Sequence, residues 1–210
     1  MNKRERGIVK RILVVILLVV TVVTGFQFRN KTSSSLEGQV ISAIQILQKK
    51  YTSLLYENEK ANLIPGGCNN SGQIDLVKAR NWTSGFFPGT LWYLYEYTND
   101  SIWCQKAFDY TKRLEKMQYN TETHDLGFMM YCSYGNALRL TEDEKCKKVL
   151  LKSAESLASR YNKKVGCIKS WDFRGWWTQY PVIIDNMMNL ELLMWAAKQE
   201  TDKDFEAIAI

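Results

Sequence analysis

Two aspartates stand where chemistry is expected. Asp185 follows Pro181-Val-Ile-Ile and opens a helical pattern, and Asn189 lies one turn later on the same helix face. Met188 and Leu192 border that face. A carboxylate set among apolar side chains has its charged form disfavoured, which suits a proton donor working near neutral pH. Asp125, in His124-Asp-Leu-Gly-Phe128, holds a matching place just before another apolar helix. Paired carboxylates whose surroundings separate their proton affinities are common equipment for sugar chemistry. Each also fits a helix N-cap, and the two roles are compatible. His124, the lone histidine, reads as a loop hydrogen-bonder or as a member of the site.

Aromatic residues gather around these positions. Trp82, Phe86, Phe87, Trp171, Trp176 and Trp177 fall in the stretches that precede apolar helices. Aromatic faces in a cleft stack on the C–H faces of sugar rings while polar neighbours bind hydroxyls. Trp92, Trp103 and Trp195 lie within helical patterns and are expected in the core.

The elements that must carry these residues are helices. Apolar residues recur at helical spacing from Val40 to Leu55, and the spacing predicts further helices over 90–97, 101–117, about 128–140, 144–162 and from Asp185 onward. Loops are expected over 62–72, rich in Gly and Asn, and over the aromatic stretch 82–89. Thr141 with Glu144 reads as a capping box. Nothing alternates with period two for long, so the chain reads as all-α. Helices stop at Thr98-Asn-Asp, Thr141-Glu-Asp and Thr201-Asp-Lys-Asp, at intervals of 43 and 60 residues. That is a repeated helix hairpin with variable loops, and function is expected on the loop side of a helical toroid or solenoid.

The N-terminus differs from the rest. Lys3, Arg4, Arg6, Lys10 and Arg11 precede an apolar run from Ile12 to Val23. Basic residues followed by a short apolar run read as an export signal, cleaved or kept as a signal anchor. Residues 1–29 are assigned to it, 30–38 to a polar linker and 39–210 to the helical domain. Seven of the 28 Lys and Arg and one of the 22 acids lie in residues 1–31, so the remainder carries 21 of each sign. The net charge of +6 therefore gives no basis for nucleic-acid binding. Five cysteines without a CxxC pair indicate neither a zinc site nor a disulfide framework. The expectation is an exported chain, secreted or membrane-anchored.

Trp82-Thr-Ser-Gly-Phe-Phe-Pro-Gly-Thr-Leu-Trp92, His124-Asp-Leu-Gly-Phe-Met129, Ser133-Tyr-Gly135, Ser170-Trp-Asp172 and Pro181-Val-Ile-Ile-Asp-Asn-Met-Met-Asn-Leu190 resemble glycoside hydrolase family 88, the unsaturated glucuronyl hydrolases. The resemblance runs from about residue 38 to the end. It implies an (α/α)6 toroid of six helical hairpins, and a hydrolase that removes a 4,5-unsaturated glucuronic acid from the non-reducing end of lyase-generated, glycosaminoglycan-type oligosaccharides. Cleavage in that family begins with hydration of the enol ether. Asp185 matches the general acid/base and Asp125 the second essential aspartate. His124, Trp82 and Trp171 match substrate-contacting positions, and Asn189 joins them through its shared face with Asp185. No metal or organic cofactor is implied. Family members run to nearly twice this length, so the chain corresponds to the N-terminal half of such a toroid. The runners-up are an unsaturated rhamnogalacturonyl hydrolase and a membrane-anchored helical-repeat module that binds sugars or proteins without turnover.

Overall fold

The computed structural model describes residues 35–58, 62–172, 180–200 and 204–210. The expected export segment, Trp176 and Trp177 lie outside them. The chain divides into two compact units, residues 1–50 and 51–210. Helix α1 (Leu36–Asn58) begins in the first and ends in the second. The second unit carries everything that follows.

Strands β1 (Ile64–Cys68) and β2 (Ile74–Val77) form an antiparallel hairpin with an irregularity between Pro65 and Gly67. A 3₁₀ turn at Trp82–Gly85 leads into α2 (Phe86–Thr98), which pairs with α3 (Ser101–Lys112). A second 3₁₀ turn, Glu115–Tyr119, precedes α4 (Leu126–Met130). The helix continues through a π turn at Tyr131–Gly135 into α5 (Asn136–Thr141), followed by α6 (Glu144–Ala158). Two-residue strands β3 (Tyr161–Asn162) and β4 (Cys167–Ile168) pair antiparallel. The last helices are α7 (Asn186–Asn189), α8 (Glu191–Gln199) and α9 (Phe205–Ala209).

The repeated Thr-x-Asp signature is a helix-reversal device. The Thr98 hydroxyl donates to the Leu94 carbonyl at 2.7 Å, and Thr141 does the same to Ala137 at 2.7 Å. The middle residue takes the left-handed conformation, φ 54° at Asn99 and 55° at Glu142. The aspartate then caps the next helix: Asp100 accepts from the Ile102 amide at 3.0 Å and Asp143 from the Lys145 amide at 2.9 Å. The capping box expected of Thr141 and Glu144 is thereby corrected, because Asp143 takes the cap and Thr141 closes the preceding turn. At the third site Asp204 precedes α9 without a side-chain cap bond.

The core is helix against helix. Leu91, Trp92, Leu126, Met129, Met130, Leu150, Leu157 and Leu192 are wholly buried, each such side chain contributing roughly 1.5–3 kcal/mol of burial. Trp92 donates its indole N–H to Thr111 Oγ1 at 3.0 Å, so the largest buried side chain of α2 meets α3 with its polar atom satisfied. The helical expectation holds, with two small hairpins added. β1 lies in the stretch read as loop and β3 at an expected helix end, while β2 falls in a stretch given no element; Pro65-Gly66-Gly67 and a two-residue pairing leave no period-two pattern. Among the described residues no helix is long and apolar enough to cross a membrane.

Candidate active site

Three segments carry the site, and Ser170 ties them together. Its carbonyl accepts from the His124 amide at 2.9 Å and its amide donates to the Pro181 carbonyl at 2.8 Å. Its hydroxyl accepts from the Ile183 amide at 3.1 Å, and the side chain is wholly buried. Thr123 and Trp171 form a further antiparallel bridge. Arg160, 7% exposed, donates to the carbonyls of Lys169 and Thr121, which locks the same two strands from behind.

Close approach of α4 and α7 completes the frame. A Cβ on Gly127 would lie 2.5 Å from the Asn189 carbonyl oxygen, so only glycine fits there. Gly85 plays the same part between the Trp82 turn and the Phe128 and Met129 carbonyls. Asn189 uses its amide across this contact. Its Oδ1 accepts from the Phe128 amide at 2.9 Å, and its Nδ2 donates to the Asp185 carbonyl at 3.2 Å.

These constraints set His124 between the two carboxylates. Its Nε2 lies 3.2 Å from Asp125 Oδ1 and 3.4 Å from Asp185 Oδ1. Both aspartates occupy helix-capping positions, yet neither makes a side-chain cap bond. Their carboxylates are turned toward the imidazole instead. Asp125 Oδ2 accepts the Thr123 hydroxyl at 2.6 Å and the Trp171 indole N–H at 3.3 Å. Burial alone would raise the Asp125 pKa, but contacts with His124, Thr123 and Trp171 outweigh it, and the carboxyl is held below its ordinary value. Asp185 Oδ1 is enclosed beside His124 without a hydrogen-bond partner among the described residues, while 35% of the side chain remains open. One carboxylate is thus locked as an anion and its neighbour faces outward.

In front of Asp125 lies an open groove of about 510 Å³, with Trp82, Asn81, Thr123 and Trp171 among its walls. Trp82 and Trp171 are 51% and 37% exposed. Trp82 meets Phe86 edge-on at 5.8 Å and Phe128 at 6.3 Å. Trp171 meets the His124 ring edge-on at 5.3 Å. Exposed aromatic faces flanking a carboxylate suit a sugar ring.

The structure therefore brings Asp125, Asp185, His124, Trp82, Trp171 and Asn189 to one region and divides them by depth. Trp82 and Trp171 have faces open to a ligand. His124 and Asn189, expected to touch substrate, lie beneath them, both wholly enclosed. Helical spacing put Asn189 on the face of Asp185 but could not show that α4 covers that face. Thr123 and Arg160 escaped the sequence reading, and Ser170 was named there only as part of a motif. Thr123, two residues before an aspartate, carries a weak turn signal. Arg160 carries none, since its partners are carbonyls nine and 39 residues away.

His124, Asp125 and Asp185 place donor atoms within 4.8 Å of one another, close enough to hold a cation.

No protein-family model matches the chain. It is 40% identical over 203 residues to an unsaturated glucuronyl hydrolase of Formosa agariphila, a match covering 92% of this chain and 51% of that protein. It is 32% identical over 168 residues to an unsaturated chondroitin disaccharide hydrolase of Streptococcus agalactiae, covering 78% and 41%. Among solved structures, an unsaturated glucuronyl hydrolase specific for heparin superposes with a TM-score of 0.66 at 49% identity, covering 70% of this chain and 39% of that one. The chain thus spans about half the length of the curated relatives it matches. The hairpins described above are part of the (α/α)6 toroid of those enzymes. By sequence and by fold the chain belongs, over the length it spans, with the unsaturated glucuronyl hydrolases of glycoside hydrolase family 88.

Proposed function

We propose that this chain supplies the acid site of a hydrolase that removes a 4,5-unsaturated glucuronic acid from the non-reducing end of an oligosaccharide. The observation that carries the reading is the pair of carboxylates sharing His124 at 3.2 and 3.4 Å, one held as an anion and the other a third exposed. The relative specific for heparin, at 49% identity, favours a heparin-type disaccharide as substrate.

The chemistry follows from the double bond. In a 4,5-unsaturated uronate the ring oxygen is attached to C5, so C4=C5 is an enol ether. Asp185, the more open carboxyl, donates a proton to C4, and positive charge develops at C5 and the ring oxygen. Water adds at C5 and returns its proton to Asp185, which restores the acid. The hemiketal at C5 opens, the former ring oxygen becomes a hydroxyl on C1, and the hemiacetal there expels the leaving sugar. Asp125 stays ionised throughout, fixes the His124 imidazole from the far side, and faces the charge that develops on the ring. Trp82 and Trp171 hold the sugar faces. His124 and Asn189 act from below as positioning residues.

The test uses this chain joined to the complementary part of the Formosa relative. Ultraviolet absorbance of the double bond is followed with an unsaturated heparin disaccharide and sugar release with its saturated counterpart. The first is consumed and the second is untouched. Release of sugar from the saturated disaccharide would refute a reaction that starts at the double bond.

Localisation is part of the proposal. Lys3 to Val23, basic and then apolar, supports export with retention at the membrane or secretion. Fractionation of cells producing the chain checks it, and recovery in the cytosol would count against it.

A further inference from the structure

We infer that Lys78 and Arg80 form an anion subsite for a sulfate, or another acidic substituent, on the sugar adjoining the unsaturated uronate. The inference rests on the functional reading above. Both residues line the groove that also holds Trp82, Trp171 and Asp125. Both are exposed, while Ala79 between them is half-buried.

Charge makes the assignment. The groove contains the carboxylates of Glu122 and Asp125, which repel an acidic oligosaccharide. Lys78 and Arg80 are the two cations among its lining residues, and neither pairs with an acid among the described residues. Cations left unpaired in a groove beside two carboxylates are available to an incoming anion. An arginine fork and a lysine point charge together suit a sulfate oxygen array.

The backbone that presents them is fixed. The Asn81 amide donates to the Lys78 carbonyl at 3.0 Å, and the buried Ser84 hydroxyl donates to the Ala79 carbonyl at 2.8 Å. Asn81 Oδ1 accepts from the Thr83 amide and hydroxyl at 3.0 and 2.8 Å. The turn that starts at the end of β2 is thus tied to the turn that carries Trp82. A sugar stacked on Trp82 therefore lies beside a fixed stretch of backbone that bears both cations.

Two unsaturated disaccharides, one sulfated on the hexosamine and one without sulfate, are titrated by calorimetry into this chain joined to the complementary part of the Formosa relative. The same titrations use Lys78→Gln, Arg80→Gln and the double variant, whose exposed sites leave the fold intact. The unaltered joined protein binds the sulfated sugar about tenfold more tightly, the change one charge-assisted hydrogen bond supplies. The double variant loses that preference and keeps its affinity for the unsulfated sugar, and added salt narrows the gap in the unaltered joined protein. Retained preference in the double variant overturns the subsite. Equal weakening toward both sugars overturns it in favour of the uronate carboxylate as the anion held. If the joined protein with Lys78 and Arg80 in place binds neither sugar, the functional reading falls along with the subsite.

Discussion

At the scale of single residues the site is a problem in proton placement. Asp125 gives up solvent and gains three contacts, with His124, Thr123 and Trp171. Because its folded pKa lies below the ordinary 3.8, folding favours the ionised form. The stability this gives is present above the unfolded pKa, about 3.9, and is lost as pH falls through the lowered folded value. Asp125→Asn is expected to melt at lower temperature than the unaltered chain near neutral pH, with the gap closing below about pH 4. Thermal denaturation followed by circular dichroism over that range checks it, and a gap that persists undiminished in acid would disprove the assignment. Both aspartates were visible in the sequence, and so was their alternative use as caps. The choice between the uses was not visible, because it depends on where the His124 ring sits, and that is fixed by Ser170 some 46 residues further on.

At the scale of elements the motifs turn out to be packing instructions as well as chemistry. Gly127 in the His124-Asp-Leu-Gly motif lets α4 touch α7 at the Asn189 backbone, and Asn189 hydrogen-bonds back across the gap. Gly127→Ala is expected to cost about 1–3 kcal/mol through overpacking and to part the segments bearing Asp125 and Asp185. Urea denaturation measures the first effect and disaccharide affinity the second. A variant as stable as the parent would mean the close approach is not required. The helix hairpins were legible because Thr-x-Asp repeats a local device whose bonds run within four residues. The two strand hairpins were not. Their pairing spans few residues, and Gly and Pro hide the alternation. The π turn at Tyr131–Gly135 also left no mark in the periodicity. Substrate contact was assigned to Asn189 from one helix face alone, and burial by a neighbouring helix cannot be seen from there.

At the scale of the molecule the notable surface lies beside the acid. Ile184, Met187 and Met188 are 86%, 64% and 67% exposed and flank Asp185 in sequence. Apolar side chains exposed this close together along a chain mark a contact site or an association liability. The purified chain is expected to bind a hydrophobic dye and to associate as concentration rises. Ile184→Ser with Met188→Ser reduces both, read by dye fluorescence and light scattering. A monomer at all concentrations that leaves the dye dark would contradict this reading. Since the chain spans about half of its relatives, the reaction is best measured with the complementary part present.

The most direct measurement compares the initial rates at which the double-bond absorbance of an unsaturated heparin disaccharide disappears, using that joined protein, Asp185→Asn and Asp125→Asn. If Asp185 delivers the proton, Asp185→Asn slows the reaction by roughly 10²- to 10⁴-fold while leaving disaccharide affinity within a few-fold. Asp125→Asn then slows it too, by removing the anion that fixes His124. An Asp185→Asn protein that consumes the double bond at the parent rate would contradict the account.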